Sequence, residues 1–251
     1  MGARFAAVLA AARAAIALTL LAFGTPAPAQ TQAPLIAAFP ASGDVPPAPW
    51  RVAGLPRQKK PFTRFALVDI DGRRALRVQA DESYGNLVHP LALAQPAVHL
   101  AWQWRVDQLL ADANLREKNG DDTALRVCVF FDLPIERVPF FERQLLRLAR
   151  TQTPEPLPGA TICYVWDARL AEGTAIDNAF TRRVRYLVLQ TGPAQPHQWA
   201  TERRDVAADF MLLFGTESPQ VPPIVGVAIG ADADNTHGHS LGHVAGLVLE
   251  P

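Results

Sequence analysis

The sequence predicts an all-β domain built from antiparallel sheets, with one or two short helices. Three observations carry this. The 22 prolines and 16 glycines fall between short apolar runs rather than in one tract, which is the punctuation of many short strands. Several runs alternate strictly: Val98, Leu100, Trp102, Trp104 and Val106 share one face, while His99, Gln103 and Arg105 share the other. The same pattern sets Val127, Val129 and Phe131 against Arg126 and Cys128, and Val184, Tyr186 and Val188 against Arg183 and Arg185. A period of two means one buried face and one polar face, as in antiparallel sheets but not in a buried parallel sheet. Finally, Asp71-Gly72 between two apolar runs is a hairpin turn signal.

Residues 1–29 have the three parts of a secretory signal peptide: a basic start with Arg4 and Arg13, an apolar stretch to Phe23, and small residues Ala27 and Ala29. Cleavage is expected near Ala29, giving an exported, periplasmic or extracellular protein. Arg13 leaves an uninterrupted apolar run of roughly 10 residues, too short to span a bilayer, and no later segment is long and apolar enough. The mature chain is expected to have no transmembrane segment.

The segment 30–61 is Pro-rich and aperiodic apart from Leu35–Phe39, read as an N-terminal strand followed by a surface loop. Residues 62–251 read as a single sandwich domain, with 31–251 one folding unit. Strands are expected at Arg64–Ile70, Ala75–Ala80, Asn86–His89, Ala97–Val106, Thr123–Phe131, Thr161–Trp166, Arg182–Gln190, Ile224–Gly230 and His243–Glu250. Glu136–Arg150 carries Phe141, Leu145 and Leu148 at i, i+4 and i+7, an amphipathic helix with Pro139 in its first turn. Its expected place is over one open end of the sandwich, with a membrane surface as the alternative. Val206–Phe214 is a second helix, N-capped by Asp205.

The formal charge is zero over 251 residues, and loss of the leader makes the mature chain slightly acidic, so nucleic acid is not an expected partner. The two cysteines, Cys128 and Cys163, both lie in strand-like runs. They pair if those strands are neighbours and otherwise are buried thiols.

The most informative segment is Asp232-Ala-Asp-Asn-Thr, an acidic turn between the last two apolar runs. Asp232, Asp234 and Asn235 concentrate oxygen ligands there. Against the EF-hand pattern, however, Thr236, His237 and His243 occupy the third-ligand, glycine and closing-glutamate positions, so this is not an EF-hand. Asp232 and Asp234 remain candidates for a looser calcium site, and no other cofactor is expected. His237, His239 and His243 carry a weaker zinc reading.

Asp122 and Arg126 stand four apart and are read as sharing a strand face, where they would pair or grip a polar ligand. The alternative for Gly120-Asp-Asp is a turn whose side chains bond local backbone N–H groups. Arg105 joins Asp122, Arg126, Asp232, Asp234 and Asn235 as a ligand-binding candidate. Trp102 and Trp104 read as core, and Trp50 and Trp199, in loop contexts, as stacking candidates. No nucleophile motif, phosphate loop or metal quartet appears, so no catalytic residue is assigned.

Five phrases in order, Trp102-Gln-Trp-Arg-Val, Gly120-Asp-Asp with Arg126-Val-Cys-Val-Phe-Phe, Tyr164-Val-Trp-Asp, Glu202-Arg-Arg-Asp-Val-Ala-Ala-Asp-Phe with Phe214-Gly, and Asp232-Ala-Asp-Asn-Thr, together resemble one family. It is the exported bacterial family called domain of unknown function 3047, and the resemblance runs from about Phe39 to Glu250. It implies a jelly-roll β-sandwich similar to galactose-binding-like modules, and it carries no activity to transfer. Cys128 and Cys163 stand where the family is expected to have aromatic or polar residues.

These observations lead first to an exported, non-catalytic protein that binds a carbohydrate or other polar cell-envelope ligand. Two alternatives stay open. A glycoside hydrolase or lyase would draw one carboxylate from Asp121 and Asp122, adjacent acids of which only one can enter a shared site, and would need Asp122 to converge with Asp232 or Asp234 in one cleft; a structural envelope protein would need an exposed apolar patch.

Overall fold

The computed structural model describes residues 35–93, 99–153, 156–192 and 198–250. The expected signal peptide, residues 1–29, and the start of the strand expected from Ala97 lie outside these residues. The chain runs β1 (Arg51–Ala53), β2 (Arg64–Ile70), β3 (Arg73–Asp81), β4 (Tyr84–Leu93), β5 (His99–Gln108), β6 (Thr123–Phe131), α1 (Phe140–Arg150), β7 (Ala160–Asp167), β8 (Ala175–Asp177), β9 (Val184–Thr191), β10 (Ala200–Asp205), α2 (Val206–Phe214), β11 (Ile224–Asp232) and β12 (His239–Glu250). Two sheets form a β-sandwich. One has seven strands in the order β1-β4-β11-β6-β7-β9-β8, and the other five in the order β10-β5-β12-β3-β2.

The alternating strands face each other across the interior. Leu100, Trp102, Trp104 and Val106 of β5 pack against Leu125, Val127 and Val129 of β6 and Ile162, Tyr164 and Trp166 of β7 in one core. An aromatic layer bridges the sheets, with ring centroids 5.3 Å apart for Trp102–Tyr164 and 5.7 Å for Trp104–Trp166. Asp71 and Gly72 close the β2–β3 hairpin with φ of 51° and 70°, the two left-handed positions of a type I′ turn. The Asp205 side chain caps α2, accepting from the Ala208 N–H at 2.9 Å. Phe210 of α2 then packs on Phe131 with centroids 4.8 Å apart, closing one end of the core.

Several expectations are corrected. Leu35–Phe39 forms no strand. The Ala37 N–H donates to His89 Nε2 at 3.0 Å and its carbonyl accepts from the Trp50 indole at 2.9 Å, so side chains satisfy this backbone and the sheet gains β1 instead. β10 was not expected because Ala-Thr-Glu-Arg-Arg-Asp has no apolar alternation; it is an edge strand, where charge discourages further pairing. The sheets are antiparallel except for β7–β9, which run parallel. Residues 168–183 carry the chain beyond β9 to lay β8 on the far edge before it turns back, which forces that direction.

Helix α1 does not fill the core with its apolar stripe. Only Leu146 is buried, while Phe141, Leu145 and Leu148 are exposed. Cys128 and Cys163 are directly opposed on β6 and β7 and are joined by a disulfide, settling the two alternatives for them.

Candidate functional site

The outer face of the seven-stranded sheet carries a groove of about 1270 Å³. Its floor comes from side chains that alternate away from the core: Asn86 and Val88 of β4, Arg126, Cys128 and Phe130 of β6, Thr161 and Cys163 of β7, and Val184 and Tyr186 of β9. Leu145 and Ala149 of α1 and Leu55 form its sides, and Phe180 stands at its rim, 55% exposed. Between β4 and β6, β11 contributes Gly230. A Cβ there would collide with Asn86 Oδ1, so the glycine lets Asn86 lie across the strand toward Arg126.

One end of the groove is densely polar. Arg126, 4% exposed, donates to Asn86 Oδ1 at 3.2 Å, Thr123 Oγ1 at 3.1 Å and Asp232 Oδ2 at 3.3 Å, and lies over the Tyr84 ring at 4.9 Å. Asn178 Nδ2 donates to Tyr186 Oη at 2.9 Å and also to Asp121 Oδ2. Three buried polar atoms, Arg126 Nη2, Asp121 Oδ1 and Asp232 Oδ1, have no protein partner and so retain hydrogen-bonding capacity for a ligand.

Burial pushes the Asp121 carboxyl up to about 6, against the pull of Arg126 and of hydrogen bonds from Asn178 and Tyr186. Burial likewise raises Asp232 well above the usual carboxylate range; Arg126 opposes this, while a hydrogen bond with Asp234 and the charge of Asp122 reinforce it. Tyr84 and Tyr186 are also raised, chiefly by burial, and present neutral hydroxyls. Perturbed acids gathered in one cleft mark a functional-site candidate.

Asp122, Asp232 and Asp234 do converge, with one oxygen from each within 4.8 Å of the others, but Asp122 is not open to the groove. Its Oδ1 accepts from the Asn235 backbone at 3.2 Å and side chain at 3.1 Å, and its Oδ2 from the Thr236 backbone at 2.7 Å and hydroxyl at 2.6 Å. Asp122 therefore holds the β11–β12 turn. The acid that reaches the groove with Arg126 is Asp121, the other member of the adjacent pair, and not Asp122, which the sequence reading preferred. The reason is a bulge: Gly230 pairs with Arg126 but Asp232 pairs with Thr123, so two residues of β11 span three of β6. That slip moves the residues before the bulge to the opposite face from the one that simple alternation gives. Asp232, Asp234 and Asn235 all line the groove.

Arg105 is on the wrong sheet. It lies in the five-stranded sheet, paired with Asp71 at 2.6 Å and Asp107 at 2.9 Å, away from Asp121 and Arg126. Trp50 is a core residue, 5% exposed and packed on Phe39 and His89. Trp199 donates to Asp71 Oδ2 at 3.0 Å beneath Arg73 and Arg105, also on the five-stranded sheet. His237, His239 and His243 pair with three different acids, Glu82, Asp81 and Asp107, and do not converge. The Asp122, Asp232 and Asp234 cluster is the only metal-like group among the described residues, yet the donors on Asp122 and the guanidinium on Asp232 compete with a cation for the same oxygens.

The raised Asp121 pKa makes a prediction about stability. The folded state favours the neutral acid, so its stabilisation is full below the unfolded value of 3.8 and is lost as pH rises through about 6. In urea melts, Asp121→Asn should be more stable than the parent at about pH 7.5, with the difference closing toward pH 4. A difference that grows on acidification would mean that Asp121 is held charged.

The model of the family described as "Protein of unknown function (DUF3047)" matches residues 48–248, and the chain belongs to that family. A search of curated protein sequences finds no match. Among solved structures, the chain is similar to the xyloglucanase domain of NopAA, a type three effector from Sinorhizobium fredii, in complex with cellobiose. That match has TM-score 0.42 and 7% identity and covers 80% of this chain and 92% of that one. It is also similar to the catalytic domain of Humicola grisea Cel12A in complex with a thio cellotetraose, with TM-score 0.41, 8% identity and coverage of 86% and 97%. Trichoderma harzianum endoglucanase 3, from family GH12, follows with TM-score 0.37, 8% identity and coverage of 81% and 98%.

Proposed function

We propose that this protein binds an extended carbohydrate chain of the cell envelope in the groove of the seven-stranded sheet. The observation that carries the reading is the groove's composition. Planar hydrogen-bonding groups of Asn86, Asp121, Arg126 and Asn178 share the groove with apolar surfaces of Leu55, Phe130 and Phe180. Sugars need both, hydroxyl partners in the ring plane and apolar contact on the C–H faces. At about 1270 Å³ the groove exceeds the usual small-molecule pocket and suits an oligomer.

Phe180 is exposed, so Phe180→Ala should fold normally. It should weaken binding of the tightest ligand in a panel of envelope polysaccharides and oligosaccharides by about five- to tenfold in calorimetry. Trp199→Ala, on the other sheet, should leave that affinity unchanged. No binding to any glycan, or loss with Trp199→Ala alone, would sink the reading.

Asp121 favours a second reading, hydrolysis of the bound chain. A carboxyl titrating at about 6 in a cleft with another acid is suited to general-acid chemistry. Release of reducing ends below about pH 6 that Asp121→Asn abolishes would support it; binding without release in the parent would end it.

A further inference from the structure

Helix α1 is mounted the opposite way from a core-serving amphipathic helix. Phe140, Phe141, Leu145 and Leu148 fall within an arc of about 140° and are 62%, 81%, 57% and 57% exposed. The inward side instead carries the single buried leucine, Leu146, and the carboxylate of Glu142, which accepts from Thr181 Oγ1 at 3.2 Å and faces Arg183 at 3.7 Å. An amphipathic helix whose purpose was to seal the sandwich would point its stripe at the core. The groove does not account for the stripe either, because Phe140, Phe141 and Leu148 are not among its lining residues.

We propose that this face of α1 docks the protein on an anionic lipid surface. The argument is charge complementarity. Arg147 is exposed at one edge of the apolar stripe, Arg150 is exposed further round the same flank with Nε and Nη2 on the Leu157 carbonyl, and the helix's one acid, Glu142, is turned inward, so apolar side chains and positive charge present themselves together. A helix lying in a bilayer interface has this arrangement, its aromatic and leucine side chains below the headgroups and its arginines among them. A second copy of the chain fits less well. It would bring the same arginines together, and four side chains are far short of the roughly 800 Å² per partner of a stable interface. The docking is separable from the groove reading, since Leu145 and Arg150 belong to both surfaces but Phe140, Phe141, Arg147 and Leu148 line no part of the groove.

The test is flotation of the protein from Gln30 onward, which contains the whole compact unit Pro34–Pro251, with two kinds of vesicle. One is pure phosphatidylcholine and the other has a quarter of it replaced by phosphatidylglycerol. The parent should bind the anionic vesicles and release at high salt. Phe141→Ser with Leu148→Ser should lose about tenfold or more, and Arg147→Glu, which lines no part of the groove, should weaken the preference for anionic lipid, all with the parent's melting temperature. A parent that stays unbound, or serine variants that bind equally, overturns the proposal. So does a parent that dimerises in sedimentation through the same four residues. Glycan affinity should be unchanged in every variant, so that failure here and failure of the groove reading are read separately.

Discussion

Asp122→Ala should destabilise the protein by about 5 kcal/mol, the largest effect of any single side chain discussed here. One buried carboxylate accepts four hydrogen bonds from Asn235 and Thr236, two of them from backbone N–H groups. Hydrogen bonds to a charged acceptor contribute about 1.5–3 kcal/mol each, less than additively in one network, and the freed backbone donors would be left without a partner. For a domain of this size the loss corresponds to a fall in melting temperature of about 10 °C or more. The turn that Asp122 holds also carries Asp232 and Asp234 to the groove, so ligand affinity should fall together with stability. Urea melts read the first effect directly. A midpoint within about 0.5 kcal/mol of the parent would show that the turn holds itself.

Loss of the Cys128–Cys163 disulfide should cost about 3–4 kcal/mol. The bond closes a separation of 35 residues that includes α1 and the loop beside it, so the unfolded chain gains freedom when it is cut. Cys128→Ser with Cys163→Ser should lower the urea midpoint accordingly, and reductant should then have no further effect. The pair lies in the groove floor, with Cys128 on the strand next to that of Gly230 and two strands from that of Asn86, so the variant also shows whether the floor keeps its shape. Equal stability of parent and double variant, with reductant inert on both, would contradict a structural role.

The strands that alternate over seven or more residues were legible in the sequence, because one face of each packs on a common aromatic core. β2 and β6 begin and end at the expected residues. β1 and β8 were not, since each has three residues and short edge strands carry little periodicity. Alternation also fixes which residues share a face but not which sheet the strand enters, so Arg105 and Arg126 were grouped although their strands lie in different sheets. The acid in the groove was missed by one position because nothing in Asp121-Asp122 announces a bulge, which only the pairing with β11 creates. The acidic turn was found, and Asp122, read as a ligand group or as a turn acid bonding local backbone N–H groups, does bond backbone N–H groups, but those of the distant Asn235 and Thr236. For α1 the periodicity was correct and the direction was not, since a helix wheel specifies a stripe and not what the stripe meets.

The central claim is that the groove over β6 and β7, with Asp121, Arg126 and Asn178 at its polar end, is the ligand site. A crystal structure of the protein with its tightest-binding oligosaccharide tests this most directly. The account predicts sugar along the seven-stranded sheet, with Arg126 Nη2 and Asp121 Oδ1 bonded to its hydroxyls and Phe180 against a ring face. Sugar bound instead on the five-stranded sheet, beside Trp199 and Arg105, would contradict it.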